Sequence, residues 1–261
     1  MSMFSAGDAY ERFMGRWSRR LAPLFVEFAG IRDGDSVLDV GAGTGALTAA
    51  IAAAAPSSRV LGVEPSEPFV SLARARHGSD LITFEPGDVQ RLRFENASFD
   101  QTLSLLMLNF VPRPGSAVSE LLRVTRRGGT VAACVWDYAA GMEMLRVFWD
   151  EAIALNPDMD LQDERHMRFS RDGELGALWR NHGMHDVSNE SLSVETRFSS
   201  FDDYWLPFLD GQGPAGAFVV ALPADRREQL RLQLRRRLLG GGPDRPIVLH
   251  ARAWAVRGVV S

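Results

Sequence analysis

Short apolar runs alternate with helix-like segments over the first half of the chain. Apolar runs bounded by glycine, proline or charged residues predict five strands, at Ser36–Val40, Arg59–Glu64, Ile82–Glu85, Phe99–Leu106 and Thr130–Trp136. Amphipathic or alanine-rich segments predict helices at about residues 18–29 and at Ala46–Ala55, Pro68–Arg76 and Ser116–Thr125. Strands that alternate with helices pair in parallel through right-handed crossovers, so we expect helices on both faces of a parallel sheet.

The regular alternation of predicted strands and helices ends after Asp137. The pattern predicts helices at Met142–Ala154, Gly173–His182 and Asp225–Leu239, and strands at Val187–Phe198 and Ile247–Val256. Asp225 and Glu228 have the spacing of a capping box, and Gly240 is the expected stop of that helix. The segment Phe201–Pro223 is rich in aromatic residues, glycine and proline and has no clear period, which is compatible with a small separate core or with an apolar lid.

The composition excludes several kinds of catalytic and metal-binding site. The chain has 261 residues, 46% of them hydrophobic, and all 29 of its basic residues are arginine. The absence of lysine excludes a Walker-A lysine, a Schiff-base lysine for pyridoxal phosphate and a Tyr-x-x-x-Lys dehydrogenase pair. The single cysteine, Cys134, excludes a disulfide within the chain. It also excludes an iron–sulfur cluster or a four-cysteine zinc knuckle held by the chain's own cysteines.

Charge and hydropathy bear on the binding partners and the cellular compartment of the protein. A net charge of -4 argues against nonspecific binding of nucleic acid. Residues Met1 to Arg20 lack the apolar core of a signal peptide, and the longest apolar runs are too short to span a bilayer. We therefore expect a cytoplasmic protein, and its lysine-free, alanine- and arginine-rich composition is typical of a bacterial, GC-rich genome.

A glycine-rich turn follows the first strand. Gly41-Ala42-Gly43-Thr44-Gly45 leads from that strand into a helix, and such a turn lets a ligand approach the backbone closely. The turn alone is equally compatible with a tight strand–helix connection or with several nucleotide loops. It even satisfies the loose dinucleotide fingerprint, with glycine at 41 and 43 and alanine at 46.

Three carboxylates narrow the choice of ligand. Asp39 lies two residues before the glycine turn, where it would repel a pyrophosphate but suits an ammonium group. Glu64 ends the second strand, where a carboxylate accepts hydrogen bonds from both hydroxyls of a ribose. Asp88 follows the third strand, where it suits an adenine amino group, with the Val89 amide near a ring nitrogen. A cationic ligand with ribose and adenine describes S-adenosylmethionine.

The same residues carry a family resemblance. The chain resembles class I S-adenosylmethionine-dependent methyltransferases, in particular the small bacterial group around the ubiquinone/menaquinone-biosynthesis type. The matching segments are the cofactor loop Val37–Gly45, the acids Glu64 and Asp88, the fourth-strand motif at Phe99-Asp100 with Leu105–Val111, and the turn Arg123–Thr130. Residues of about 10–137 match well, whereas 138–261 match only in the order of elements.

The resemblance implies an α/β fold. It implies a Rossmann-like, seven-stranded, mostly parallel sheet with helices on both faces, an antiparallel last strand and a helical cap inserted before that strand. We expect one methyltransferase domain over residues 1–261. Its parts would be N-terminal lid helices at 1–30, a cofactor-binding core at 31–137, and a C-terminal half at 138–261 with the cap at about 200–242.

The resemblance also implies a cofactor site. The cofactor would be S-adenosylmethionine and its product S-adenosylhomocysteine, with Tyr10 covering the methionine tail and Arg16 pairing with its carboxylate. The residues expected to bind the cofactor are Tyr10, Arg16, Asp39, Gly41, Ala42, Gly43, Gly45, Glu64, Pro65, Asp88, Val89 and Leu105. No metal site is expected, because His182 and His185 flank a glycine and lack an identifiable partner carboxylate.

Methyl transfer from a sulfonium needs a dedicated base only if the acceptor loses a proton. Asn109 is the catalytic candidate for orienting the acceptor, and Tyr138 is the candidate for assisting a proton, with Asp137 as the alternative. Asn109-Phe110 departs from the histidines that relatives often have there, and no Asn-Pro-Pro-aromatic motif for base methylation is present. The arginines at 226–237 are interpreted as a solvated helix face.

The sequence favours a small-molecule methyltransferase whose acceptor is unidentified. A non-catalytic S-adenosylmethionine-binding or partner subunit stays open. An NAD(P)-dependent oxidoreductase is disfavoured by Asp39, Asp88 and the missing lysine. The expected partner is the acceptor, without nucleic acid or membrane insertion, and the expected state is a monomer or a homodimer.

Overall fold

One mixed sheet organises the protein. The computed structural model describes residues 7–155 and 163–261, and the strands of this part pair in the order β3-β2-β1-β4-β5-β7-β6. The strands are β1 Ser36–Val40, β2 Arg59–Glu64, β3 Ile82–Pro86, β4 Phe99–Leu105, β5 Thr125–Trp136, β6 His185–Phe198 and β7 Ile247–Val259. Strands β1 to β5 pair in parallel, and β7 runs antiparallel to both of its neighbours. The predicted Rossmann-like sheet with an antiparallel last strand is confirmed.

Helices cover both faces of the sheet. They are α1 Gly7–Tyr10, α2 Arg16–Ala29, α3 Ala46–Ala54, α4 Glu67–His77, α5 Pro114–Val124, α6 Glu143–Leu155, α7 Glu174–Asn181, α8 Phe201–Trp205, α9 Gly213–Ala221 and α10 Ala224–Leu239. A π-helical turn, Glu11–Gly15, joins α1 to α2, and short 3-10 turns lie at Leu108–Phe110, Glu164–His166 and Leu206–Asp210. The part of the predicted lid that falls on residues 1–6 lies outside the described residues.

Strand β5 shows how the core forms on two sides. Ala132, Cys134 and Trp136 belong to the apolar cluster beneath α2, α6 and the cap, whereas Val131, Ala133 and Val135 belong to the cluster beneath α5 and α7. Alternate side chains of a strand point to opposite faces, so a strand covered on both sides needs apolar residues at every position. This explains why the segment has an uninterrupted apolar sequence.

The segment without a clear period folds as helices. Residues 201–221 form α8, a 3-10 turn and α9, which together with α10 make the predicted helical cap. Tyr204, Trp205 and Phe208 are buried and join the main core cluster rather than a separate one. Two of the three elements have only five residues each, and α9 is apolar on nearly all sides, so none of them leaves a helical period in the sequence.

The predicted capping box of α10 is wrong. Pro223 is the N-cap residue and makes no side-chain cap, and Glu228 accepts from Arg231 instead. The predicted stop is confirmed, because Gly240 ends the helix at a φ of 63°, in the left-handed region that favours glycine. Among the described residues, the helices are either too short or too polar for a passage through a bilayer.

Candidate active site

The glycine turn is held at the carboxyl end of the sheet. The backbone N–H groups of Gly41 and Ala42 both donate to Val63 O, at 2.8 and 3.0 Å, which ties the turn to β2. Gly41 has a φ of 74°, and a Cβ on it would lie 2.4 Å from Met107 Cγ. A side chain at this position is therefore excluded both by backbone conformation and by space.

Glu64 braces this turn from the end of β2. Its Oε2 accepts from the backbone N–H of Gly43 at 3.1 Å, and its Oε1 accepts from that of Ser66 at 3.0 Å. Burial raises the pKa of the Glu64 carboxyl above its ordinary value. Glu64 also lines a cavity of 410 Å³ with mostly apolar walls, so its predicted position beside a ligand fits the geometry.

Asp39 combines full burial with an unpaired oxygen. Its Oδ2 accepts from Thr48 Oγ1 at 2.7 Å, whereas its Oδ1 is buried without a hydrogen-bond partner among the described residues. Burial is the largest effect on this carboxyl and raises its pKa to about 7. Asp39 lines a small cavity of 30 Å³ with Tyr10, Ser18 and the glycine turn. A buried carboxylate oxygen that lacks a donor suits the ammonium end of a ligand.

Two further cavities continue from this point along the strand ends. The main cavity has a volume of 410 Å³ and shares Tyr10, Gly41, Gly43 and Leu105 with the small one. Its lining residues are Tyr10, Met14, Gly41, Gly43, Glu64, Pro65, Ser66, Phe69, Leu105, Leu106, Met107, Phe110, Trp136 and Tyr138. It therefore lies at the carboxyl ends of β1, β2, β4 and β5, where sheets of this kind bind ligands.

The neighbouring cavity, of 180 Å³, adjoins the main one at Gly41, Pro65, Met107 and Phe110. Gly87, Asp88 and Val89 line it. Asp88 is exposed, and its Oδ1 accepts from the backbone N–H of Gln90 at 2.9 Å. The residues predicted for a cationic tail, a ribose and an adenine thus lie in three adjoining cavities, in that order.

Tyr138 lies in the main cavity as a neutral donor. Its side chain is 6% exposed, and its hydroxyl makes no hydrogen bond within the described part of the chain. Burial raises the pKa of Tyr138, and the negative charge of Glu164 adds to this rise. The raised pKa keeps the hydroxyl protonated near neutral pH, so it can donate a hydrogen bond, and its predicted assistance of a proton stays a prediction.

Asn109 is not among the residues that line the main cavity, and its predicted contact with the acceptor stays a prediction. Its side chain is buried, its Nδ2 lies 3.5 Å from Met167 Sδ, and its Oδ1 has no partner among the described residues. The 3-10 turn at Leu108–Phe110 brings the next residue, Phe110, to the cavity wall instead.

Arg16 lies outside the main cavity, and its predicted pairing with the cofactor carboxylate stays a prediction. Its Nη1 donates to Asp203 Oδ1 at 2.7 Å and its Nη2 donates to Asp203 O at 3.1 Å. The guanidinium carbon lies 4.3 Å from the centroid of the Trp17 ring. Arg16 therefore joins α2 to α8 in the cap, beside an open charged groove that is separate from the main cavity.

Tyr10 and Glu11 connect the N-terminal segment to the site. Tyr10 lines the main cavity, with its hydroxyl 3.1 Å from Ser18 Oγ and its ring centroid 5.8 Å from that of Phe69. The Glu11 carboxylate accepts from Thr44 Oγ1 in the glycine turn. The N-terminal segment thus contacts the glycine turn, and its predicted role as a lid stays a prediction.

Glu11 is a residue that sequence reasoning missed. Its carboxylate pairs with Arg19 and lies 3.5 Å from Arg76 Nη1, in addition to its bond with Thr44. A Cβ on Gly15 would lie 2.7 Å from Glu11 Cδ, so the π-helical turn and its terminal glycine leave room for this carboxylate. A single acid among arginines is the only sequence signal, and it does not predict that turn.

Part of the chain matches known methyltransferases in sequence. Residues 38–133 match the family described as a methyltransferase domain. An uncharacterized protein of Mycobacterium tuberculosis is 27% identical over 219 residues, which are 82% of this chain and 76% of that protein. The demethylmenaquinone methyltransferase of Symbiobacterium thermophilum is 38% identical over 130 residues, which are 47% of this chain and 51% of that protein.

Solved structures share the fold. A putative methyltransferase from Bacillus halodurans has a TM-score of 0.57 and 18% identity, covering 91% of this chain and 97% of that one. Haemonchus contortus phosphoethanolamine N-methyltransferase 2, in complex with S-adenosyl-L-methionine, has a TM-score of 0.58 and 18% identity, covering 97% of this chain and 56% of that one. The resemblance to S-adenosylmethionine-dependent methyltransferases is confirmed.

Proposed function

We propose that this chain, which carries a methyltransferase domain at residues 38–133, binds S-adenosylmethionine and transfers its methyl group to a small-molecule acceptor. One observation carries the proposal. Asp39, Glu64 and Asp88 line three adjoining cavities at the carboxyl ends of β1, β2 and β3, and Asp39 has a buried oxygen without a partner. We also propose that lid, core and C-terminal half work together as one domain.

The charges of the cavities favour this cofactor over a dinucleotide. No arginine or histidine is among the described residues that line the three cavities, and the chain contains no lysine. A pyrophosphate there would rely on backbone N–H groups alone and would face Asp39. S-adenosylmethionine carries positive charge and no phosphate, so the buried carboxylates would stabilise it.

Each residue has a defined task in this proposal. Asp39 would hold the ammonium group, Glu64 the ribose hydroxyls, and Asp88 with the Val89 amide the adenine edge. The bound cofactor supplies a methyl group activated by a sulfonium. The protein holds the acceptor in line with this group and excludes water, for which the apolar wall of Phe110, Trp136 and Met14 is suited.

Calorimetric titration with S-adenosylhomocysteine and, separately, with NAD and NADP tests the proposal. We expect saturable one-site binding of S-adenosylhomocysteine and no binding of either dinucleotide. Tight binding of NAD or NADP without S-adenosylhomocysteine binding would contradict the proposal. Incubation of the protein with cell extract and radiolabelled S-adenosylmethionine then tests transfer, since a labelled small molecule is the expected product.

A further inference from the structure

We propose that Thr48 is a positioning residue of the cofactor site, whose hydroxyl donates to Asp39 and thereby keeps that carboxylate charged for the ammonium group of the ligand. This inference rests on the proposed function and adds a residue that acts through Asp39 without lining any of the three cavities itself. It follows from the turn that joins the two residues, from the two donors that Thr48 offers, and from the lack of a cation beside Asp39.

The glycine turn brings Thr48 against the end of β1. Asp39 lies in β1 and Thr48 nine positions later, as the third residue of α3, and both side chains are fully buried. Between them Gly41, Gly43 and Gly45 have φ angles of 74°, 55° and 91°, all in the left-handed region. The chain can therefore turn sharply enough for the first turn of α3 to pack on the strand that precedes it.

Thr48 directs two donors to the same carboxylate. Its Oγ1 donates to Asp39 Oδ2 at 2.7 Å, and its backbone N–H also donates to this carboxylate. The N-cap residue of α3, Gly45, has no side chain that could cap the helix, so Asp39 accepts from an N–H of the first turn that needs an acceptor. These bonds hold Oδ2 in place, and Oδ1 is the oxygen that stays without a partner among the described residues.

Asp39 depends on these bonds because no cation lies beside it. No arginine or histidine is among the described residues that line the small cavity, and α3, Ala46–Ala54, contains no charged residue. Burial raises the pKa of Asp39 most and the negative charge of Glu64 adds to the rise, whereas the two bonds from Thr48 lower it. Tyr10 also lines the small cavity, and burial raises its own pKa, so it stays neutral.

The other elements packed around Asp39 add no charge that could replace Thr48. In the neighbouring strands, Arg59 begins β2 and Asp100 lies at the start of β4, at the opposite end of the sheet. In the N-terminal segment and α2, Glu11 and Arg19 pair with each other, and neither lines the small cavity. The hydroxyl of Thr48 is therefore the side-chain donor on which the charge of Asp39 depends.

Titration of the Asp39 carboxyl in the ligand-free protein tests this directly. NMR of protein with isotope-labelled aspartate follows the carboxyl signals with pH, and Asp39→Asn identifies the signal of Asp39. We expect Thr48→Val to raise the titration midpoint of Asp39 by about one pH unit, because the hydroxyl bonds to the charged form. A midpoint that stays unchanged in Thr48→Val overturns the inference.

Thr102→Val is the matched control for this titration. Thr102 is a fully buried threonine of the same sheet, and its Oγ1 lies 2.6 Å from Thr125 Oγ1 rather than from a carboxylate. We expect this variant to leave the midpoint of Asp39 where it is in the unmodified protein. Equal shifts in Thr48→Val and Thr102→Val would assign the effect to general packing and overturn the inference.

Calorimetry with S-adenosylhomocysteine measures the consequence for binding. We expect Thr48→Val to bind about fivefold more weakly at pH 7 but within about twofold of the unmodified protein at pH 8, where more of Asp39 is ionised in both. Thr48→Ser keeps the hydroxyl, so it is expected to restore binding at pH 7. A loss of the same size at both pH values, or a loss in Thr48→Ser as large as in Thr48→Val, contradicts the role of Thr48.

Two arrangements keep the outcomes distinguishable. If Thr48→Val does not fold, Thr48→Ala removes the same hydroxyl with the residue that favours a helix most. Calorimetry of the unmodified protein comes first, and an absence of S-adenosylhomocysteine binding there refutes the proposed function. The titration of the ligand-free protein does not depend on that result, so an unchanged Asp39 midpoint refutes the role of Thr48 alone.

Discussion

Two buried carboxylates, one beneath the cofactor loop and one beneath the cap, show how the two halves of the molecule differ. Burial raises the pKa of both Asp39 and Glu164 to about 7. Glu164 uses both oxygens, accepting from Trp149 Nε1 and from the backbone N–H of Ala215 in the first turn of α9. Asp39 uses only one oxygen, its second oxygen has no hydrogen-bond partner among the described residues, and the residue lines a small cavity.

The two carboxylates differ in role, because Glu164 joins parts of the fold and Asp39 has an oxygen that a ligand can use. The folded protein satisfies Glu164 and thereby joins α6 to the cap. Only one of the two Asp39 oxygens accepts a hydrogen bond within the described part of the chain. The other is buried without a donor, which is unfavourable unless a ligand supplies one. A carboxylate of equal burial therefore stabilises the fold in one region and is available to a ligand in the other.

Substitution of the two acids by alanine is the sharpest test of this comparison. We expect Asp39→Ala to raise the dissociation constant of S-adenosylhomocysteine about a hundredfold, since removal of one partner of a buried charge pair costs several kcal/mol. Glu164→Ala is expected to stay within about twofold of the unmodified protein, measured by calorimetry. Similar losses of affinity in both variants would contradict the difference in role between Asp39 and Glu164.

The free energy of unfolding is expected to respond in the opposite way. Glu164→Ala leaves two buried donors, on Trp149 and Ala215, without an acceptor, so we expect a loss of about 2 kcal/mol. Asp39→Asn keeps an acceptor for Thr48 and removes a buried charge, so its loss is expected below about 1 kcal/mol. Urea denaturation without ligand measures both, and a larger loss in Asp39→Asn would contradict the assignment.

Binding should depend on pH through Asp39. Its pKa of about 7 means that the charged form, which pairs with an ammonium group, becomes populated as pH rises. We expect the affinity for S-adenosylhomocysteine to increase about tenfold from pH 6 to pH 8. Asp39→Asn should remove this dependence, whereas Glu164→Gln should preserve it. A pH profile that follows Glu164 instead would reverse the roles of the two residues.

The stability of the ligand-free protein should fall with pH. Both folded-state pKa values lie above the ordinary range, so between about pH 4 and pH 7 the folded protein holds protons that the unfolded chain has released. The free energy of unfolding therefore decreases through this window and levels off above it. Urea denaturation as a function of pH, in the unmodified protein and in the double variant Asp39→Asn with Glu164→Gln, checks this. A flatter decline is expected in the double variant.

The smallest expected effect concerns the segment that covers the cofactor loop. Glu11→Gln weakens the ion pairs with Arg19 and Arg76, so we expect S-adenosylhomocysteine to dissociate about threefold faster in stopped-flow measurements. Arg12→Ala is the control, since its pair with Asp210 does not touch the glycine turn. Equal rates in all three proteins would show that Glu11 does not hold this segment closed.

The two regions also differ in how far the sequence reveals them. Asp39 is predictable because its place before a glycine turn fixes it at the end of a strand, and parallel strands bring their carboxyl ends together. Glu164 has no such marker, because its donors lie on α6 and α9, far away in the sequence. Local patterns report periodicity and turns, and they do not report which distant groups meet.

Arg16 is a second case in which local sequence patterns do not reveal a contact with a distant residue. Its position in a lid-like segment predicted a ligand contact, yet the choice between a ligand and Asp203 depends on how α2 packs against the cap. The cap in turn escaped periodicity analysis because its helices are short or apolar all round. Sequence reasoning therefore predicted the sheet and the glycine turn, whereas the packing of the cap against α2 could not be predicted from local patterns.

The antiparallel strand β7 has a consequence for synthesis on the ribosome. It pairs with both β5 and β6, and β6 has no other strand partner in the described sheet. While the chain emerges, β1 to β5 can assemble with their helices, but the outer edge of β5 stays open until residues 247–259 arrive. An open apolar edge of this kind invites aggregation. We expect nascent chains truncated before β7 to depend on chaperones, because β1 to β5 can fold while β6 still lacks its strand partner.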